Sequence, residues 1–280
     1  AARKGEPEIV RLLMEVEGVD VNAVDWEGKT ALALAARKGR HDIVRVLLQT
    51  KGMDLRGALD EALGHGQSDV IKALIQVARV SLDEESPCNS LMRAAQSGES
   101  EAVMTVLNHG TFDINAKDDQ GRSALAHSFC NPFSSFSTGA TGALLQIPGI
   151  DINSTDKYGE TILMYASRHL GGDVQKLVET IIKLGGPSDI CINAKDVYGR
   201  TALAHALLSC ARAEVVRTLL AAEGFDYNCA DAKGQTPLIL ATKTADADIV
   251  AELLGFEGIK IDSRDDTGRT ALAYAISRRH

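Results

Sequence analysis

One phrase returns along the whole chain, and its spacing constrains the fold more than any other feature. It first reads Val19-Asp20-Val21-Asn22-Ala23-Val24-Asp25-Trp26-Glu27-Gly28-Lys29-Thr30-Ala31-Leu32. It returns as Asp113-Ile114-Asn115-Ala116-Lys117-Asp118, running to Gly121-Arg122-Ser123-Ala124-Leu125. Later copies end at Gly159-Glu160-Thr161-Ile162-Leu163, Gly199-Arg200-Thr201-Ala202-Leu203, Gly234-Gln235-Thr236-Pro237-Leu238 and Gly268-Arg269-Thr270-Ala271-Leu272. From Ser123 onward the anchors step by 38, 40, 35 and 34 residues. Degenerate copies at Gly57-Ala58-Leu59 and Asn89-Ser90-Leu91 fill the gap after Thr30, and Ala1-Ala2-Arg3-Lys4-Gly5 matches Ala35-Ala36-Arg37-Lys38-Gly39. About nine units result, the first and last incomplete: 1-23, 24-55, 56-84, 85-116, 117-154, 155-194, 195-229, 230-263 and 264-280, read as a single domain over 1-280.

The stretch from Asp25 to Gly52 predicts what one unit folds into. Asp25-Trp26-Glu27-Gly28 reads as a turn, with Asp at the first position and Gly free to take positive φ. Thr30 stands where a helix N-cap is wanted, and Pro237 takes the following N1 position in one copy. Leu32, Ala35 and Ala36 make a short apolar face, and Gly39 ends that helix. Ile43, Val44, Leu47 and Leu48 repeat at helical spacing and predict a second amphipathic helix. No single unit can bury its own apolar stripe, so stacking on the next unit must do it.

This phrase, D-x-x-G-x-T followed by A-A-R-K-G and I-V-R-V-L-L between Asp25 and Leu48, resembles the ankyrin repeat, whose unit of about 33 residues joins a β-turn to two helices. The resemblance covers essentially the whole chain and is most like long arrays of fungal type. It implies an all-α fold with short β-hairpins, an ankyrin-repeat α-solenoid. One departure stands out: the family's T-P-L-H is mostly T-A-L-A here, so the usual His–Thr hydrogen bond at the helix start is expected to be lost.

Several units are irregular. The Gly57 unit lacks the D-x-x-G-x-T turn and predicts a stunted or missing finger. The unit after Ser123 carries Ser128-Phe129-Cys130-Asn131-Pro132-Phe133-Ser134-Ser135-Phe136, either a docking loop or rings that patch an imperfect helix pair. The unit after Thr161 has Gly171-Gly172 before its second helix and a loop expected at Gly185-Gly186-Pro187-Ser188 after it.

Composition narrows the function. Apolar residues make up 45% of the chain and aromatics 4%, which suits short, close-packed helices. A formal charge of −8 argues against nucleic acid, which needs clustered Lys and Arg. Five widely spaced cysteines without C-x-x-C fit a reduced, intracellular and cytoplasmic setting, the nucleus remaining open. No apolar run approaches the roughly 18 residues of a membrane span, and the chain start carries neither a signal peptide nor a first Met, which reads as a fragment.

No catalytic, metal or cofactor site is expected. His127 and His205 recur at one place in their units and read as repeat pieces facing the groove between helices. Cys88 and Cys130 read as buried hydrophobes, Cys191 and Cys229 as a reduced pair of the hairpin regions, and Asp118-Asp119 and Asp265-Asp266 as turn residues. The glycines form no phosphate-binding pattern.

In ankyrin proteins partners lie on the concave face of hairpin tips and first helices. The resemblance therefore implies a non-catalytic surface for a protein partner, with tips at Trp26, Glu27 and Lys29; Asp119, Gln120 and Arg122; Lys157, Tyr158 and Glu160; Val197, Tyr198 and Arg200; Ala232, Lys233 and Gln235; Asp266, Thr267 and Arg269. Trp26, Tyr158 and Tyr198 are of the types that anchor interfaces, unless their rings pack sideways on the neighbouring finger. The expected role is a scaffold or recognition module. The alternative is a sensor or autoinhibitory segment of a larger NTPase-type signalling protein. Asn22, Asn115, Asn153, Asn193 and Asn228 match the position hydroxylated in this family, or serve as hairpin hydrogen-bond groups. Apolar residues near the start, Ile9, Val10 and Leu12, are expected to favour end-to-end self-association.

Overall fold

A computed structural model of the chain describes residues 6–50, 52–78, 90–110, 113–130, 138–169, 173–189, 191–209, 213–244 and 246–277. Among them are sixteen helices and no strand. The chain forms two compact units, residues 1–119 with 123–150 and residues 120–122 with 151–280.

The first unit contains α1 (Pro7–Met14), then the pairs α2 (Ala31–Arg37) and α3 (His41–Leu47), α4 (Arg56–Gly64) and α5 (Ser68–Ala78), α6 (Ser90–Gln96) and α7 (Ser100–His109), and α8 (Ala124–His127) and α9 (Gly139–Leu145). The second contains α10 (Ile162–Ser167) with α11 (Val174–Asp189), α12 (Ala202–Leu208) with α13 (Ala213–Leu220), α14 (Pro237–Thr244) with α15 (Ala247–Leu254), and α16 (Ala271–Ser277). First helices pack on first helices, α2 on α4 and α12 on α14 on α16; second helices pack on second helices, α3 on α5 and α11 on α13. Each unit is thus a stretch of all-α solenoid.

The local rules work as the sequence predicts. The Thr30, Ser123, Thr161 and Thr201 hydroxyls accept the N–H three residues on, and Pro237 opens α14. Leu32, Ala35, Ala36 and Leu203 are fully buried. Burying one such Leu contributes about 1.5–3 kcal/mol, and the neighbouring repeat supplies the covering surface.

The fingers are narrower than a strand ladder. The fingers at Asp25, Asp156, Asp196, Asp231 and Asp265 are each closed by two backbone bonds, such as Asp196 N–H to Arg200 O at 3.0 Å and Gly199 N–H to Asp196 O at 2.9 Å, and an isolated bridge joins Val24 to Thr30. The turn Asp holds the loop: Asp196 Oδ1 accepts the N–H groups of Tyr198 and Arg200, both at 2.8 Å. In the second unit successive fingers are bonded edge to edge. Val197 N–H donates to Tyr158 O at 2.8 Å, Ala232 N–H to Tyr198 O at 2.8 Å, and Asp266 N–H to Lys233 O at 2.9 Å. Gly199 makes this contact feasible. Its φ is 71°, and a Cβ there would lie 2.6 Å from Ala232 N.

Two expectations change, and two others are narrowed. The segment Gly185-Gly186-Pro187-Ser188 continues α11, which runs to Asp189; glycine accepts helix and loop geometry alike, so the pair did not mark an end. Val10 is buried because α1 packs on α3, whereas Ile9 and Leu12 are exposed. Phe129 is 5% exposed, which favours packing for that ring; Phe133, Phe136 and Gly171-Gly172 lie outside the described residues. The Gly57 unit has no finger among its described residues: α4 begins at Arg56, shortly after Gly52.

Candidate functional site

The turn Asp has a second oxygen, and the sequence left its partner unseen. Nine residues after it, on the first helix, stands a group that reaches back. His127 Nε2 lies 2.9 Å from Asp118 Oδ2, and His205 Nε2 lies 2.9 Å from Asp196 Oδ2. The Tyr165 hydroxyl donates to Asp156 Oδ2 at 2.9 Å, and that of Tyr274 to Asp265 Oδ2 at 2.6 Å. Where this place holds Leu240, Gln235 Nε2 donates to Asp231 Oδ2 at 3.1 Å instead. The histidines therefore face their own turns rather than an open groove. The missing family histidine is replaced one position later by a group that braces the finger. At Asp265, the Thr267 hydroxyl and then the Tyr274 hydroxyl hold the carboxyl well below the usual carboxylate range.

Fixed fingers present their tips. Trp26 is 88% exposed, Tyr198 56% and Tyr158 47%. Val197 is also exposed, as are Asp119, Lys157, Ala232, Lys233, Asp266, Thr267 and Arg269. Trp26 directly follows its turn Asp, while Tyr158 and Tyr198 come one residue later, so the rings occupy adjacent rather than equivalent tip positions. Cations lie over the tyrosines: Lys157 Nζ is 4.9 Å from the Tyr158 ring and the Arg200 guanidinium 5.1 Å from the Tyr198 ring. Glu27 pairs with Arg37 at 3.5 Å, Lys29 pairs with Glu61, and Glu160 pairs with Arg168 at 2.5 Å. Gln120 and Arg122 are half-buried, and the Gln120 carbonyl accepts the Lys157 N–H. Gln235 is a correction to the tip row: it is buried, its amide nitrogen on Asp231 and its oxygen bonded by Lys243, and it offers no free surface.

Glu160, Asp196 and His205 bring three metal-ligand-type atoms within 4.8 Å of one another. Each is engaged within the protein, Glu160 by Arg168 and His205 by Asp196. The Arg168 cation beside Glu160 makes this a charge-paired junction between repeats.

The asparagines join successive repeats. Asn22 Nδ2 donates to Gly52 O at 2.7 Å while its Oδ1 accepts the Asp54 N–H at 2.8 Å. Asn228 does the same with Gly258 and Lys260, at 3.0 and 2.8 Å. Asn115 donates to Gly149 O, and Asn153 accepts the Cys191 N–H.

No helix among the described residues is long and apolar enough to cross a membrane. No curated protein sequence matches the chain. A family model described as ankyrin repeats matches in three copies, over residues 1–58, 134–231 and 207–280. Ankyrin repeats generally mediate protein–protein interaction and are typically non-catalytic. With helix pairs, fingers and family match in agreement, the chain belongs to the ankyrin-repeat family.

Proposed function

We propose that this chain is a recognition module or scaffold that holds a protein partner on its finger tips and first helices. The observation that carries the reading is the exposure of Trp26, at 88%, on a finger whose backbone is fixed by Asp25. A rigid, exposed aromatic contributes area at little entropic cost on binding. Tyr158, Val197 and Tyr198 add exposed surface on fingers that are bonded together.

The test is quantitative affinity purification with the intact chain and with Trp26→Ala and Tyr198→Ala. Proteins recovered by the intact chain should be depleted with the variants, whose thermal unfolding should match the parent. Undiminished recovery with both variants, or unfolding caused by either, would remove these rings as anchors.

A further inference from the structure

The second unit carries cations that its own carboxylates do not answer. Lys243 Nζ lies 5.1 Å and the Arg269 guanidinium 5.6 Å from the centre of the same ring, that of Tyr274. The ring is held in place by its hydroxyl, which donates to Asp265. Two like charges on one ring repel, and a nearby anion relieves that repulsion. Among the described residues no carboxylate pairs with Lys243, Arg269 or Arg200; Lys243 bonds only the neutral Gln235 oxygen. Arg168, by contrast, has Glu160, and Arg217 has Glu252 at 3.1 Å.

Arg200 adds an independent observation. Its Nε is shut off from water and has no hydrogen-bond partner, with the guanidinium over Tyr198. Buried donors are normally satisfied, so Arg200 makes fewer bonds within the unit than a guanidinium can. The turn carboxylates Asp196, Asp231 and Asp265 are buried and bonded to their own loops. Asp266 is an exposed acid of this face.

We propose that Arg200, Lys243 and Arg269, on the finger and first-helix face of the second unit, receive an extended, Asp- and Glu-rich segment of a partner protein. The inference rests on the recognition role above and names the chemistry of what is recognised. The three cations come from successive repeats whose first helices, α12, α14 and α16, pack side by side. Packed helices stand about 8–10 Å apart, and an extended chain rises about 3.3 Å per residue. An acid at every third residue therefore keeps step with the repeats. A protein segment suits the face better than nucleic acid, because the chain is acidic overall, at −8, and Asp266 sits among the cations.

The test is fluorescence anisotropy with the full chain and a labelled peptide carrying Asp at every third position, against the same peptide with Asn. The Asp peptide should bind about tenfold tighter or more, and binding should weaken with salt. Lys243→Gln, Arg269→Gln and Arg200→Lys should each weaken it roughly threefold to tenfold, while Lys183→Gln on α11 leaves it unchanged. Equal binding of the two peptides, equal loss with Lys183→Gln, or tighter binding of a single-stranded oligonucleotide would overturn the proposal. Should the Asp peptide fail while partner recovery still depends on Trp26 and Tyr198, this inference falls and the recognition role stands.

Discussion

Asn193 donates through Nδ2 to the carbonyl of Gly224 at 2.7 Å, 31 residues further on. Its Oδ1 accepts the Asp226 N–H at 2.9 Å, so one amide holds the following loop by both its atoms. Only an amide offers donor and acceptor in that arrangement. Asn193→Ala should destabilise the chain by about 1–2 kcal/mol. Asn193→Asp should not restore it, because a carboxylate would face the Gly224 carbonyl. Urea unfolding of the three proteins checks both outcomes.

The place nine residues after the turn Asp should be exchangeable within limits. His205→Tyr should retain most of the stability, since Tyr165 and Tyr274 already fill the equivalent place. His205→Leu leaves a buried carboxylate oxygen of Asp196 short of a donor and should cost about 1–3 kcal/mol. Adding Arg200→Gln should recover part of that loss, because Gln235 serves Asp231 where Leu240 stands. A double-mutant cycle showing no coupling between the two sites would refute this account.

Gly28 and Gly199 have nearly the same φ, 73° and 71°, but different surroundings. Nothing lies within 4 Å of a Cβ at Gly28, so Gly28→Ala should cost only the backbone strain, about 1 kcal/mol. Gly199→Ala adds the collision with Ala232 and should cost clearly more, roughly 2–3 kcal/mol. Denaturant midpoints measured side by side separate the two terms.

Acid should act on the last finger late. The Asp265 carboxyl has a folded pKa held low by Thr267 and Tyr274, against an unfolded value of about 3.9. Its contribution to stability is therefore present above about pH 4 and drains away as pH falls toward the folded value. Tyr274→Phe removes one of the two hydroxyl donors, moves the folded pKa up toward the unfolded one, and should make stability less dependent on pH below about 4. Carboxyl NMR titration of Asp265 in both proteins reads the shift directly.

Packing and presentation should separate cleanly by substitution. Leu203 is fully buried, and Leu203→Ala should cost about 2–5 kcal/mol. Trp26→Ala, at an 88% exposed tip, should leave the unfolding temperature nearly unchanged. Calorimetric scans of both variants check the contrast.

What the sequence disclosed follows from how local the governing physics is. Thr30 as a cap, Pro237 at N1 and the turn at Asp25 each depend on a few adjacent residues, and each was legible. The bracing of Asp196 by His205 was not, because it depends on a helix folding back over its own turn. The two hydrogen bonds of the Asn193 amide, across 31 and 33 residues, depend on the stacking of two repeats. Along α11 the glycines permitted either outcome, and the helix runs on through them to Asp189. In the tip row, Gln235 looked like its neighbours in register but was drawn inward by the place that Leu240 leaves unserved.

The asparagine bonds all close chain loops of similar length, from 30 to 38 residues, and each ends on the next loop of the same kind. A duplication or loss of one whole period therefore returns every asparagine to a matching loop. A gain of a single residue inside a finger shifts that finger off its neighbour at once. Growth by complete modules is the change this architecture absorbs most easily, and the fingers are where its length is least negotiable.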